Sequence, residues 1–192
     1  MDDRLAKLTL EELWQLFPIK LSPPNPDWSH WYADMAKQIQ EALGKGIVRL
    51  SHIGSTAVPD LLAKPTIDLL LEVHETVGFD QIEAKLKPLG FFYDTQRNTR
   101  KIPVMFKKGY TIHGYEDKVY HLHIRNPGDW SELYFRDFLR EFSDFRDAYA
   151  ALKKDLLAQY MFDRNRYTDE KTSFIQDVTT KARQRYKNRY AL

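Results

Sequence analysis

The chain has 192 residues, 43% of them hydrophobic, and its 29 basic and 27 acidic residues leave a formal net charge of +2. This composition is typical of a globular protein with a buried core, and so small a net charge does not indicate a polyanionic partner. The absence of cysteine excludes disulfide bonds, thiolate catalysis and cysteine-based zinc sites. No apolar run approaches the roughly 20 residues that cross a bilayer, and residues 1–4 lack a signal-peptide layout. We therefore expect a cytoplasmic protein with no membrane partner.

Predicted helices and strands alternate along the chain and then give way to helices alone. Thr9 and Glu12 form a predicted capping box for a short first helix, and Asp27 is the predicted cap of a helix from Trp28 to Leu43. Apolar runs between turn residues predict strands at about 46–53, 67–73, 91–93, 103–106 and 119–125, with a helix at about 78–88. Helical spacing follows at about 130–142, 144–162 and 169–188.

The turn after the first predicted strand carries the clearest indication of chemistry. It joins Gly54 and Ser55 to Asp68, which opens a second apolar run. Both runs are apolar enough to predict central strands, and the twelve residues between Ser55 and Asp68 are sufficient for a short helical crossover. Backbone N–H groups of the turn and the Asp68 carboxylate can together hold a phosphate and its Mg²⁺.

The same segment resembles the GrpB-like family. The residues that carry the resemblance are HIGSTAVP at 52–59, KPTIDLLLEV at 64–73, YHLHI at 120–124, LYFRDFLR at 133–140 and YTDEKTSFI at 167–175. The family has the nucleotidyltransferase fold, so the resemblance implies an α+β protein with a nucleotidyltransferase-like mixed β-sheet flanked by helices and a C-terminal helical bundle. We expect a single domain over residues 1–192, with the sheet core at about 1–127 and the helical extension at about 128–192.

One residue departs from the superfamily pattern. The second metal-binding acid of that pattern would stand at position 70, which is Leu70. Glu72 shares the strand face of Asp68, but four residues of strand separate the two by about 13 Å. Two metals that share one site lie only about 3.5–4 Å apart. Glu72 is therefore not expected to replace the missing acid. The absence of an acid at position 70 weakens the case for two-metal nucleotidyl transfer more than the case for the fold.

His121 and His123 are alternate residues of a predicted strand. Their side chains point to one face, with Cα atoms about 6.6 Å apart. Together with Asp68 they would form a two-histidine, one-carboxylate metal site, and we name all three as candidate catalytic residues. In the alternative interpretation, the histidines are half-buried strand residues bonded to the backbone.

Several other residues are candidates for binding phosphate. They are His52, Gly54, Ser55, Thr56, Lys64, Tyr167 and Lys171. His52 would orient Asp68 or a phosphate, or be a structural histidine. Lys64 would neutralise a phosphate, or lie in solvent.

Tyr167 and Lys171 are placed at i and i+4 of the last predicted helix, which Thr168 or Asp169 would cap. In nucleotidyltransferases a lysine and a tyrosine of the helical domain commonly contact the nucleotide phosphates, and the resemblance implies that role for this pair. The alternative is a tyrosine packed between helices and a surface lysine.

The C-terminal segment is unevenly charged. From Arg164 to Leu192 there are eight Lys or Arg residues and three acidic residues. Basic side chains interleaved with Tyr186 and Tyr190 can form a nucleic-acid surface. A solvated helix with basic residues near its C-terminal dipole explains the same pattern, and we favour it. A nucleic-acid partner is therefore not expected.

The resulting hypothesis is a protein that binds a nucleotide or another phosphorylated small molecule, with Mg²⁺ or Mn²⁺ as its cofactor. Gly54, Ser55, Asp68, His121 and His123 should then line one pocket. Three functions stay open: nucleotidyl transfer to a small acceptor, a non-catalytic binding or accessory module with a degenerate metal site, and a metal-dependent hydrolase. Related domains of the family occur fused to dephospho-CoA kinase, which hints at a phosphorylated cofactor as the ligand. The sequence indicates no protein partner.

Overall fold

The computed structural model of the protein describes residues 4–93 and 100–191. Its helices are α1 (Leu10–Leu16), α2 (Asp27–Leu43), α3 (Phe79–Leu86), α4 (Ser131–Glu141), α5 (Ser143–Tyr160), α6 (Arg164–Asp169) and α7 (Thr172–Tyr186). Its strands are β1 (Ile47–Ile53), β2 (Thr66–Val73), β3 (Phe92–Tyr93), β4 (Val104–Thr111) and β5 (Gly114–Arg125). The predicted α+β class, with a mixed sheet, flanking helices and a C-terminal helical bundle, is confirmed. Among the described residues no helix is long and apolar enough to cross a bilayer. Residues 1–3, which enter the signal-peptide expectation, lie outside the described residues.

The five strands form one sheet in the order β1-β2-β5-β4-β3. β2 and β5 are parallel, and the other neighbouring strands are antiparallel. The prediction of a central strand is confirmed for β2 but wrong for β1, which lies at the edge of the sheet. The predicted helical crossover between them is also wrong. A 3₁₀ turn at Ser55–Ala57 and a loop connect the two strands, because antiparallel neighbours need no crossover helix.

Strand register separates an apolar face of the sheet from a polar one. The apolar face packs with α2 and α3, and its central members are Ile67, Leu69, Leu71, Tyr120, Leu122 and Ile124. On the other face Asp68 lies beside His121, and Leu70 lies beside His123. Side chains alternate along a strand, so burial of the apolar set directs Asp68 and the two histidines to the face that the C-terminal helices cover.

The C-terminal helices pack around a second apolar cluster that includes Tyr134, Phe138, Tyr149 and Val178. Leu70 joins this bundle to the sheet, because it is fully buried against Leu133 of α4. The metal-binding position of the superfamily pattern is thus occupied here by a packing residue.

The predicted helix at 169–188 is wrong at its start. The side chain of Asp163 accepts a hydrogen bond from the backbone N–H of Arg166 and caps α6, which ends at Asp169 before α7 begins at Thr172. Neither Thr168 nor Asp169 caps a helix, since both lie inside α6.

The remaining predictions differ mainly at element ends. The capping box of Thr9 and Glu12 is present. Asp27 is the first residue of α2 rather than its cap, and its N–H donates to Asn25 Oδ1 at 2.9 Å. The β4–β5 hairpin is longer than predicted, because its outer half at 107–118 is polar and carries no apolar run.

Candidate functional site

The glycine of the turn lies directly against Asp68. Gly54 has a φ of +72°, a backbone conformation that favours glycine. A Cβ atom at this position would lie 2.4 Å from Asp68 Oδ2. Any other residue would therefore strain the backbone and displace the carboxylate as well. The turn and the aspartate form one local structure.

Asp68, His121 and His123 converge as the sequence predicts. Asp68 Oδ1 lies 3.2 Å from His121 Nδ1 and 3.6 Å from His123 Nε2. One ligand atom from each of the three side chains lies within 4.8 Å of the other two. Four ligands around an ion at bonds of about 2.1 Å are separated by about 3.4 Å, which the two distances from Asp68 approach, so these three side chains could hold a metal ion.

His121 is oriented by partners on its far side. Tyr110 Oη lies 2.6 Å from His121 Nε2, and the two rings stack with centroids 5.8 Å apart. Arg164 lies on the same side, where it donates to Tyr115 Oη and to the carbonyl of Phe17. This arrangement directs Nδ1 of His121 toward Asp68, and such outer partners are typical of metal-ligating histidines.

Burial and charge set the protonation of this group. Burial lowers the pKa of His121 to about 4, in spite of the neighbouring Asp68 carboxylate. For Asp68, burial favours the protonated acid, but hydrogen bonds and charge from His121 and His123 hold its pKa well below its usual range. At pH 7 the site therefore holds a carboxylate beside a neutral His121 imidazole, the forms that bind metal ions.

Two cavities meet at these three side chains. The larger, of about 670 Å³, is lined by Gly54, Ser55, Asp68 and His123 together with residues of the helical bundle. The smaller, of about 120 Å³, is lined by His121 with Lys64 and Arg164. Four of the five residues expected in one pocket therefore share it, and His121 faces a second one. We define these as the large cavity and the small cavity.

A lysine that sequence reasoning missed lies behind Ser55. Lys153 of α5 is only 2% exposed, and its Nζ donates to Ser55 Oγ at 3.1 Å and to the carbonyl of Leu62. Burial, with smaller effects from Lys171 and Lys64, lowers its pKa to about 7. Tyr149 and Leu156, four residues before and three after it, are also buried. A lysine inside the apolar stripe of a helix was the signal that could have found it.

Lys64 and Lys171 lie on the ring of a buried tyrosine. Their Nζ atoms are 5.9 Å and 4.3 Å from the centroid of the Tyr167 ring, respectively. Burial lowers the pKa of Lys64 to about 7 and that of Lys171 to about 8, and the nearby Arg164 adds to both effects. Tyr167 is fully buried, and its hydroxyl has no hydrogen-bond partner among the described residues. Tyr167 and Lys171 are brought together as predicted, but not on one helix, since Tyr167 lies in α6 and Lys171 directly precedes α7.

His52 and Thr56 are not brought to Asp68. His52 pairs with Leu69 in the strand register and therefore points to the opposite face of the sheet. Its ring stacks on Tyr32, and its Nε2 lies 3.1 Å from Thr56 Oγ1. The Thr56 hydroxyl donates to the carbonyl of Thr66 at 3.0 Å. Both side chains stabilise the turn from behind.

Glu72 and Arg125 are each engaged elsewhere. Glu72 is fully buried and accepts hydrogen bonds from the Arg49 guanidinium and the N–H of Gly128. Arg125 donates to Glu132 at 2.7 Å. Glu72 is thus neutralised by Arg49 and does not supply the acid that is missing at position 70.

Three arginines near the end of the basic C-terminal segment are paired with carboxylates. Arg183 pairs with Asp129, Arg185 with Glu141 at 2.8 Å, and Arg189 with Asp137 at 3.2 Å. These pairs locally neutralise three of the eight basic residues of the segment. Paired and partly exposed arginines fit the interpretation of the segment as a solvated helix.

Comparisons with known proteins agree with the resemblance seen in the sequence. A family model described as GrpB protein matches residues 18–181. The chain is 33% identical over 166 residues to UPF0157 protein PA4798 of Pseudomonas aeruginosa, covering 85% of this chain and 67% of that protein. It is 28% identical to UPF0157 protein YqkA of Bacillus subtilis over 97% of this chain, and it spans only about half, 54%, of that relative's length.

A solved structure of a GrpB protein agrees with this assignment. The crystal structure of the conserved protein GrpB from Enterococcus faecalis aligns with a TM-score of 0.75 at 26% identity, covering 87% of this chain and 99% of that one. A structure of Cid1 in complex with its short product ApU aligns with a TM-score of 0.45 at 14% identity, covering 77% of this chain and 42% of that one.

Proposed function

The chain belongs to the GrpB family, and we propose that it binds a nucleotide or another phosphorylated small molecule in the large cavity, next to a divalent metal ion at Asp68, His121 and His123. The observation that carries this proposal is an imbalance of charge around Asp68. Lys153 is buried, and Lys64, Lys171 and Arg164 are half-buried. In the described part of the chain none of these four cations forms an ion pair with a carboxylate.

Cations removed from water are normally paired, because an unpaired one loses hydration without compensation. The lowered pKa values of the three lysines reflect this cost. Asp68 is the nearby acid whose negative charge acts on both Lys64 and Lys171 and opposes the lowering of their pKa values. One carboxylate does not balance four cations. A phosphorylated ligand would supply the missing negative charge, and Ser55 lies between Lys153 and the large cavity.

The wall of the large cavity suits an organic ligand as well as a phosphate. Trp130, Phe135 and Ile175 line it, and its volume falls within the range of about 300–1,000 Å³ that small-molecule sites occupy. Two buried oxygens of lining residues, Asp129 Oδ1 and Thr179 Oγ1, have no hydrogen-bond partner among the described residues. An aromatic base would stack beside Trp130 and Phe135, which favours a nucleotide over inorganic phosphate in this cavity.

The metal that this group would hold follows from its donor atoms. The nucleotidyltransferase fold implies Mg²⁺ bound by carboxylates, but Leu70 removes one acid and the neighbouring donors are imidazoles. Two imidazoles and one carboxylate suit Zn²⁺, Fe²⁺ or Mn²⁺ better than Mg²⁺, which prefers oxygen ligands. Bound there, such an ion would polarise a phosphoryl oxygen.

This donor set also bears on the type of reaction. Nucleotidyl transfer by two metal ions is disfavoured, since Glu72 is neutralised by Arg49 and Leu70 is buried in the sheet–bundle interface. Metal-dependent hydrolysis of a phosphoester is the second candidate, because three protein ligands leave coordination positions open, as catalytic metal sites require. A binding module without catalysis would use the same pocket.

Two adjacent lysines of α5 make a matched test. Lys153→Met removes the buried cation behind Ser55, and Lys154→Met removes an exposed cation from the next position. Thermal unfolding would be followed for both variants and the parent with nucleoside phosphates and coenzyme A, in the presence of Mg²⁺, Mn²⁺ or Zn²⁺. A ligand at one hundred times its Kd adds about 2.7 kcal/mol to the parent's free energy of unfolding.

We expect the Kd of the stabilising compound to rise about tenfold or more in Lys153→Met, as loss of a charged hydrogen bond implies, and to be unchanged in Lys154→Met. Failure of every phosphorylated compound to stabilise the parent, with any of the three ions, would refute the proposal.

A further inference from the structure

The small cavity lies on the other side of His121 from the large one. Its wall includes Lys20, Lys64, Tyr110, Tyr115, His121 and Arg164. Of the three converging side chains at the centre of the site, His121 lines this cavity, whereas Asp68 and His123 line the large cavity. At about 120 Å³ the small cavity is well below the size of drug-sized sites, so its occupant is inorganic or a very small organic group.

Its charges are unbalanced. Lys20, Lys64 and Arg164 all line it, and in the part of the chain that the structure describes none of them is ion-paired. Glu116 and Asp117 also line the cavity, but both are exposed to solvent, whereas Lys64 and Arg164 are half-buried. The acids are therefore better hydrated than the two cations, and the inner part of the cavity is electropositive.

The donors there are held in place. The guanidinium of Arg164 is fixed by the carbonyl of Phe17 at 3.1 Å and by the hydroxyl of Tyr115. A guanidinium offers planar N–H donors that match the oxygens of a phosphate or carboxylate, and Lys64 adds a point charge. Tyr110 connects this wall directly to His121 Nε2.

We propose that the small cavity is a separate subsite for a small oxyanion, a phosphate or a carboxylate group, bound by Lys64 and Arg164 beside His121. This inference rests on the proposed function and divides its site in two. The nucleotide or other phosphorylated molecule occupies the large cavity beside Asp68 and His123, and the oxyanion occupies the small cavity beside His121. An anionic acceptor or a released phosphate has the chemistry that this subsite recognises.

Inorganic phosphate and formate are the probes, titrated by calorimetry into the full chain in a buffer free of both ions. The variants are Lys64→Met, the exposed Lys20→Met in case the first does not fold, and Lys153→Met and Lys154→Met as controls outside the cavity. We expect the Kd of phosphate to rise about tenfold or more in Lys64→Met, less in Lys20→Met, and less than about twofold in either control. Tighter binding of formate than of phosphate would assign the subsite to carboxylates.

A second measurement locates the bound ion. In an NMR spectrum of the imidazole groups, phosphate should shift the signals of His121 more than those of His123, and a nucleotide bound beforehand should stay bound. Displacement of the nucleotide, or a loss of phosphate affinity in Lys153→Met as large as in Lys64→Met, would place the ion in the large cavity and overturn the subsite. If nucleotides bind but neither probe does, the subsite is refuted and the proposed function stands. If phosphate binds through Lys64 but no larger phosphorylated compound binds, the proposed function is refuted instead.

Discussion

Two groups of basic residues in this protein have opposite surroundings. Arg185 and Arg189, near the C-terminus, lie at the surface, and each is paired with a carboxylate. The cations around Asp68 are less exposed, and Lys64, Lys153 and Arg164 have no carboxylate partner among the described residues. In the sequence the first group is the conspicuous one, because it is a local excess of charge. In the structure the second group is the one that lacks a counter-ion.

This comparison teaches that the pairing of charges indicates a ligand better than their number. A paired surface cation is already neutralised locally and contributes little to stability. An unpaired cation out of water raises the free energy of the ligand-free state, and an anionic ligand relieves that cost. Each prediction below changes one side of this comparison.

The largest effect is expected from the acid at the centre of the unpaired group. Asp68→Asn should weaken Zn²⁺ or Mn²⁺ binding by more than about 100-fold, since removing a ligand exceeds the 10–100-fold cost of disturbing its outer partners. Calorimetric titration with each ion would measure it. Asp60→Asn is the control, because Asp60 is exposed and asparagine tolerates its φ of 61°. Equal metal affinity in the parent and Asp68→Asn would show that Asp68 is not a metal ligand.

Raising the pH above 7 should stabilise the ligand-free protein but weaken the binding of its ligand. The pKa values of Lys64 and Lys153 are about 7 in the folded state, against about 10.4 for an unfolded lysine. Between these values the unfolded chain binds more protons, so the stability of the ligand-free protein should rise with pH. A bound phosphate favours protonated lysines, so ligand affinity should fall, by about tenfold from pH 7 to pH 9.

Chemical denaturation and ligand titration at three pH values would test both trends. The Lys153→Met variant should flatten each of them, because it removes one of the titrating groups. A nucleotide affinity that is constant from pH 7 to pH 9 would contradict the placement of Lys153 beside the phosphate of the nucleotide.

The smallest effect is expected at the paired surface. Arg185 is 58% exposed, and its bond to Glu141 is an ordinary surface ion pair. Arg185→Gln should leave the free energy of unfolding nearly unchanged and nucleotide affinity within about twofold. A large loss of nucleotide affinity in this variant would show that the C-terminal segment takes part in binding. It would contradict the claim that only the unpaired cations around Asp68 do so.

The sequence predicts the centre of the site better than its surroundings. His121 and His123 could be placed on one face because strand alternation depends only on spacing, and the family resemblance added Asp68 to them. The antiparallel pairing of β1 and β2 was missed, since a twelve-residue connection is compatible with either direction. His52 was placed near Asp68 by its position beside the turn, but strand alternation turns it to the other face.

The missed residues belong to elements that meet the site only through tertiary packing. Tyr110 lies in the polar outer half of the β4–β5 hairpin, and Arg164 begins a helix that the apolar pattern did not predict. Lys153 was recognisable only as a lysine in an apolar stripe. Contacts between residues far apart in the chain leave no periodic pattern in the sequence, because the hydrophobic pattern of each helix or strand reflects only its own buried face.

The central claim is that the unpaired cations around Asp68 hold a phosphorylated ligand and the paired arginines do not. Native mass spectrometry tests it most directly, first on small molecules that the purified protein retains and then by titration with nucleoside phosphates and coenzyme A. The account predicts a one-to-one complex that is weakened about tenfold or more by Lys153→Met and left intact by Arg185→Gln. No complex with any phosphorylated compound, or a complex lost in Arg185→Gln and kept in Lys153→Met, would contradict it.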